Sequence, residues 1–203
     1  MSEATMISAK DVKELRGMTG AGMMDCKRAL TETEGDLEKA VDLLRAKGAS
    51  QAAKRAEKSA NEGTIGSYVH FDSRTAVIVE LNCETDFVAS TDEFKGLAKD
   101  IALHIASMAP LAISSAEIAQ DVIDRERAVY MEQAKEEGKP EHIAAKIVEG
   151  RLNKFFKEST LLAQPFVKDT DKTIEELITE ISARTGEKIL VARFSRMKIG
   201  ESA

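Results

Sequence analysis

The run Ala76-Val77-Ile78-Val79-Glu80-Leu81 constrains this chain more than any other segment. It is rich in β-branched residues, which pack well on a pleated surface and lose little by being extended. Around it the sequence is dominated by alanine, leucine, isoleucine, glutamate and lysine, mostly good helix formers. Upstream, residues 64–71 alternate, with Ile65, Val69 and Phe71 directed one way and Ser67 among them. Asp72-Ser73-Arg74 supplies the turn, so 64–71 and 75–82 read as an antiparallel hairpin. Residues 188–197, from Lys188 to Met197, read as a third strand. One hairpin, one late strand and helices elsewhere define an α+β fold: a helix-rich core with a small three-stranded antiparallel sheet.

The first fifty residues form a module of three helices. Ser8 caps the first, with Asp11 in the acidic position of a capping box, and Val12 and Leu15 give its apolar stripe. Thr19-Gly20-Ala21-Gly22 breaks that helix. A second helix runs from about Met23 to Thr33, with Met24, Ala29 and Leu30 as core residues. Gly35 closes it, and Asp36 caps a third helix carrying Leu37, Ala40, Val41, Leu43 and Leu44. The expected division is a module at 1–55, a linker at 56–62 and an α+β core at 63–203. Within the core, Phe94, Leu97, Ala98, Ile101, Ile105 and Met108 share one face of a helix capped by Ser90 or Thr91 and ended by Pro110. Ser114-Ser115-Ala116-Glu117 reads as a capping box. It opens a helical hairpin over about 115–157, broken at Gly138-Lys139-Pro140. Thr173 with Glu176 caps a last helix, ended by Gly186.

A net charge of -6 disfavours direct nucleic-acid binding, and the basic stretch at Lys54, Arg55 and Lys58 is a solvated helix end. The apolar runs are too short for a membrane span, and Met1-Ser2-Glu3-Ala4 shows no secretory core. Cys26 and Cys83 are two separate thiols, as expected of a reduced cytoplasmic protein. His70, His104 and His142 lack metal-ligand spacing, and His104, beside Ile101 and Met108, reads as a half-buried structural residue. The chain has no phosphate loop and no nucleophile elbow, and its carboxylates are scattered. No enzyme, cofactor or metal is expected.

The segment Leu81-Asn82-Cys83-Glu84-Thr85-Asp86-Phe87-Val88 is less ordinary. A strand ends there, a helix follows, and a phenylalanine stands at the junction beside a carboxylate. Phe87 either staples the helix start to the core or projects as a wedge toward a partner. Met23 and Met24 pose the same choice. Adjacent helical residues cannot both point inward, so one belongs to the core and the other faces solvent or a partner.

Leu15-Arg16-Gly17-Met18-Thr19-Gly20-Ala21-Gly22-Met23-Met24-Asp25-Cys26-Lys27-Arg28-Ala29-Leu30 resembles the N-terminal signature of the bacterial translation elongation factor Ts family. Asn82-Cys83-Glu84-Thr85-Asp86-Phe87-Val88 is similar to its second signature, and Ile147-Val148-Glu149-Gly150-Arg151 and Gln164-Pro165-Phe166-Val167 to later segments. The resemblance covers nearly the whole chain. It implies a guanine-nucleotide exchange factor for the GTPase elongation factor Tu, with no covalent chemistry of its own. It implies a UBA-like three-helix module contacting the GTPase through Met23 and Met24. It also implies an exchange loop in which Asp86 and Phe87 intrude near the nucleotide and magnesium site while Thr85 and Val88 shape the loop. Only one sheet half is visible, which resembles the short class of the family and implies a homodimer, with the strand at 188–197 as a contact. A noncatalytic adaptor acting through the three-helix module is the alternative.

Overall fold

A computed structural model of the chain describes residues 7–138 and 140–201. The Met1-Ser2-Glu3-Ala4 stretch lies outside them. Local capping decides the first three helices, α1 (Ala9–Thr19), α2 (Met23–Glu32) and α3 (Leu37–Lys54). The Ser8 hydroxyl accepts from the Asp11 N–H and the Asp11 carboxylate accepts from the Ser8 N–H, both at 3.2 Å, so two orphan donors are satisfied reciprocally. Gly20, at φ 66°, ends α1 with its N–H on the Arg16 carbonyl, 2.8 Å away. Gly35, at φ 89°, turns the chain after α2, and Asp36 Oδ1 accepts from the Lys39 N–H at 3.1 Å to open α3. Val12, Leu15, Cys26, Ala29, Leu30 and Ala40 are buried together, with Leu37, Val41 and Leu44 packed on them.

The chain divides into two compact units. One holds residues up to Ile65 together with Glu80–Ala98 and Glu176–Ala192; the other holds Gly66–Val79, Lys99–Glu175 and residues from Arg193 onward. Strands β1 (Glu62–Val69), β2 (Thr75–Cys83) and β5 (Leu190–Lys198) form a three-stranded sheet in the order β1-β2-β5. Along β2, Thr75, Val77, Val79, Leu81 and Cys83 are buried while Ile78 is exposed, the period-two pattern of a sheet covered on one face. Gly63 lets β1 approach β2 closely, since a Cβ there would collide with the Leu81 carbonyl.

The hairpin closes where the His70 N–H meets the Thr75 carbonyl at 2.8 Å. The Ser73 N–H then takes the His70 carbonyl at 2.8 Å, with Ser73 at φ 57°. That turn begins two residues earlier than the sequence pattern suggests, so Phe71 leaves the strand and stands 90% exposed.

Thr91 Oγ1 accepts from the Phe94 N–H at 3.3 Å and caps α5 (Asp92–Met108). Phe94, Leu97, Ala98, Ile101 and Ile105 are all buried along it, but Met108, in its last turn, is exposed and does not share that buried face. The capping box expected at Ser114 does not form. Ser114 makes no side-chain cap bond, Ser115–Glu117 is a single 3-10 turn, and Glu117 accepts from the Ile113 N–H at 3.2 Å. Helix α6 (Gln120–Glu136) starts later and packs on α7 (Glu141–Ser159), where Arg151 donates to Gln133 and Glu137, both at 2.7 Å. A second, two-stranded sheet of β3 (Pro165–Phe166) and β4 (Asp169–Thr173) precedes α8 (Ile174–Thr185).

His104 is fully buried, not half-buried. Its Nδ1 accepts from the Val167 N–H at 3.2 Å, which puts the ring proton on Nε2, 3.0 Å from Gln164 Oε1. Gln164 Nε2 donates to the Glu158 carbonyl at 2.6 Å and so fixes its own orientation. Burial holds the imidazole below its ordinary pKa, opposed by the Gln164 bond.

Candidate functional site

The strand-to-helix junction after β2 is built from a chain of local bonds. Cys83, the last residue of β2, is buried, and its thiol donates to the Thr85 carbonyl at 3.1 Å. Burial, and then the Glu187 carboxylate, push this thiol's pKa up. Thr85 is extended, at φ -129° and ψ 152°, and its Oγ1 accepts from the Val88 N–H at 3.3 Å. It thereby caps a one-turn helix, α4 (Asp86–Ala89). The Ser90 hydroxyl donates to the Asp86 carbonyl at 2.8 Å and closes the other end.

On this turn Val88 and Ala89 point inward and are buried. Thr85, Asp86 and Phe87 point outward. Phe87 is 79% exposed, so its ring is not folded back as a staple. A large apolar side chain is held in water on a capped turn whose inner half is anchored in the core.

Glu84 and Glu187 brace the junction, and sequence reasoning missed both. Glu84 Oε2 accepts from Lys58 Nζ at 2.8 Å and Oε1 from the Lys188 N–H at 2.7 Å. The Lys58 ammonium, ahead of the Lys188 N–H, holds the Glu84 carboxyl below its usual range. Glu187 accepts from the N–H groups of Glu84 and Thr85 and from the Thr85 hydroxyl. The available signal was a carboxylate directly after the helix-ending Gly186, where no local donor explains it.

Met23 and Met24 are both exposed, at 59% and 65%, which corrects the expectation that Met24 or its neighbour belongs to the core. The buried stripe of α2 is Cys26, Ala29 and Leu30. Met24 lies two positions before Cys26, about 200° around the helix, so it faces away. Met23, in the first turn, lies beyond the end of that stripe. Both therefore lie beside the Gly20–Gly22 loop as apolar groups in solvent.

Further apolar side chains are exposed on the sheet and in the turns that flank it. Val69, Phe71, Ile78, Met197 and Ile199 are all exposed, and the Ile199 N–H reaches the Arg74 carbonyl at 2.9 Å. Among the described residues no group of three or more His, Cys, Asp or Glu is placed to hold a metal ion. Among them too, no helix is long and apolar enough to cross a membrane.

The fold defines the class: an α+β protein with three N-terminal helices and a helix-rich core around a small three-stranded sheet, with Met23, Met24 and Phe87 exposed to solvent. The particular family follows from comparison. The family model described as elongation factor TS matches residues 7–201. The elongation factor Ts of Syntrophomonas wolfei subsp. wolfei is 57% identical over 97% of this chain and 92% of its own length. That of Thermosipho melanesiensis is 53% identical over 97% of this chain and 100% of its own length. That of Syntrophus aciditrophicus is 54% identical over 96% and 97%. The chain belongs to the elongation factor Ts family.

Proposed function

We propose that this protein is a guanine-nucleotide exchange factor for elongation factor Tu, and that it acts by inserting Asp86 and Phe87 near the GTPase's nucleotide and magnesium site. The observation that carries this is the exposed Phe87 ring on a turn whose other side is anchored by Val88 and Ala89. A wedge needs this combination, an apolar tip free in the unbound protein and a base that does not yield. Thr85 caps the turn and Val88 roots it, so these two shape the loop and the adjacent pair makes the contact.

A bound nucleoside diphosphate is held largely by backbone amides, a lysine and magnesium. The exchange factor binds best a partner state in which that cradle is distorted. By linkage, its preference for that state equals the loss in nucleotide affinity. No covalent step and no cofactor are required. Met23 and Met24 supply a second contact, from the UBA-like module at 1–55. Methionine suits this use because its flexible thioether adapts to a partner surface. The chain's net charge of -6 supports a protein partner over direct nucleic-acid binding. Its place of action is the cytoplasm, where translation occurs.

We propose further that two copies pair through the edge strand β5. Met197 on β5 and Ile199 just after it, with Ile78 on the neighbouring β2 and Val69 on β1, leave apolar area on a sheet that a second copy would cover.

The deciding experiment is release of fluorescent GDP from elongation factor Tu with and without the protein. Acceleration is expected. Unchanged release together with measurable binding would favour a noncatalytic adaptor acting through the three-helix module.

A further inference from the structure

Glu187 is 102 residues from Thr85 in sequence, yet it makes three bonds to the loop that presents Phe87. Its Oε2 accepts from the N–H of Glu84 and of Thr85, each at 3.1 Å, and its Oε1 accepts from the Thr85 hydroxyl at 2.6 Å. Bonds to an ionised acceptor are roughly twice as strong as neutral ones. The Thr85 hydroxyl has a single proton. Giving it to Glu187 leaves the oxygen lone pairs for the Val88 N–H, so Glu187 selects the rotamer in which Thr85 caps α4. The direction of Phe87, with 79% of its surface in solvent, is set by the backbone beneath it.

The base that carries Glu187 is itself fixed. Gly186, at φ 77°, ends α8 with its N–H on the Ser182 carbonyl at 2.9 Å, and the Ser182 hydroxyl donates to the Glu187 carbonyl at 2.5 Å. Arg184, one turn back, pairs with Glu93. It also lies over Gly20, where any Cβ would collide with its Cδ. Gly20 opens the loop that leads to Met23 and Met24. In the other direction, Lys188 Nζ donates to the carbonyls of Ala56 and Lys58 at 2.6 and 2.9 Å.

We infer that Glu187 is a positioning residue for nucleotide exchange, orienting the Asp86-Phe87 turn from a rigid base at the end of α8. This deepens the exchange reading above and rests on it. Glu187 need not touch the partner; it acts through Thr85. Misplacing a reacting or intruding group by about 1 Å costs roughly a hundredfold where geometry is demanding, and a loosened cap is a milder fault.

The test is stopped-flow release of fluorescent GDP from elongation factor Tu, titrated to saturation with the full chain. Glu187→Ala should lower the maximal rate about tenfold while shifting the half-saturating concentration less than about twofold, because the methionine contacts are untouched. Glu187→Gln should recover to within about threefold of the wild type, since an amide oxygen still accepts both N–H groups and its NH₂ can donate to Thr85. With Phe87→Ala already in place, Glu187→Ala should add nothing further. A full maximal rate in Glu187→Ala, with Phe87→Ala impaired, overturns the role of Glu187 alone. So does an additive loss, or a Gln variant no better than Ala. A fully active Phe87→Ala overturns the exchange-loop reading and this inference with it.

Discussion

Truncating Phe87 separates a wedge from a staple by magnitude alone. With 79% of its surface exposed, folding withdraws only about a fifth of a ring side chain of about 200 Å², or near 40 Å². At about 25 cal/mol per Å², Phe87→Ala should lower stability by about 1 kcal/mol at most. Phe94, in the next helix, is fully buried, and Phe94→Ala should cost about 3–5 kcal/mol. Urea unfolding of the two variants side by side gives the comparison, provided the slope with denaturant is unchanged so that midpoints report stability. In fluorescent GDP release, Phe87→Ala should slow exchange at least about tenfold, the equivalent of about 1.4 kcal/mol of lost coupling. A stability loss near that of Phe94→Ala would mean that the ring packs inward in solution. Full exchange activity with a small stability loss would mean that the exposed ring is idle.

His104 gives the chain an acid-sensitive element. Its folded-state pKa lies below the ordinary value because of burial, so below about pH 6.5 the unfolded chain takes up a proton that the folded chain resists. Stability should therefore fall as pH drops below about 6.5, at no more than the one-proton slope of about 1.4 kcal/mol per pH unit. Urea midpoints between about pH 7 and about pH 5 measure this, and His104→Gln should flatten that part of the curve. For the proposed pairing of two copies, light scattering should give a dimer mass for the wild type and a monomer mass for Ile78→Asp, with little change in melting temperature. A wild-type monomer at micromolar concentration refutes the pairing.

The elements that could be read from sequence are those whose cause is local. Ser8 with Asp11, Asp36 with Lys39, Gly20 and Gly35 each fix a helix end within a few residues, and β2 carries its period in its own side chains. Reading failed where a local signal had a competitor. Glu117 prefers the Ile113 N–H to a box with Ser114, and the Ser73 turn removes Phe71 from β1. β3 and β4 are short, and the polar run of β4 has no periodicity to detect. Sequence identified Phe87 as the residue in question without deciding its direction. The carboxylate that braces its loop comes from 102 residues away, and no window along the chain contains both. Apolar character alone does not say which side of α2 Met24 occupies; the Cys26, Ala29, Leu30 stripe does.

The two free cysteines give the molecule its own reporters. Cys26 is buried among the three N-terminal helices and Cys83 is buried under the Phe87 turn. Neither can meet an alkylating reagent until its surroundings open, and a thiol whose pKa is pushed up by burial, as at Cys83, is slower still. Labelling followed by mass therefore clocks the breathing of the helical module and of the loop as two separate rates. No probe need be attached to either proposed contact surface. A partner that grips the loop should slow modification of one thiol and, by a different amount, the other.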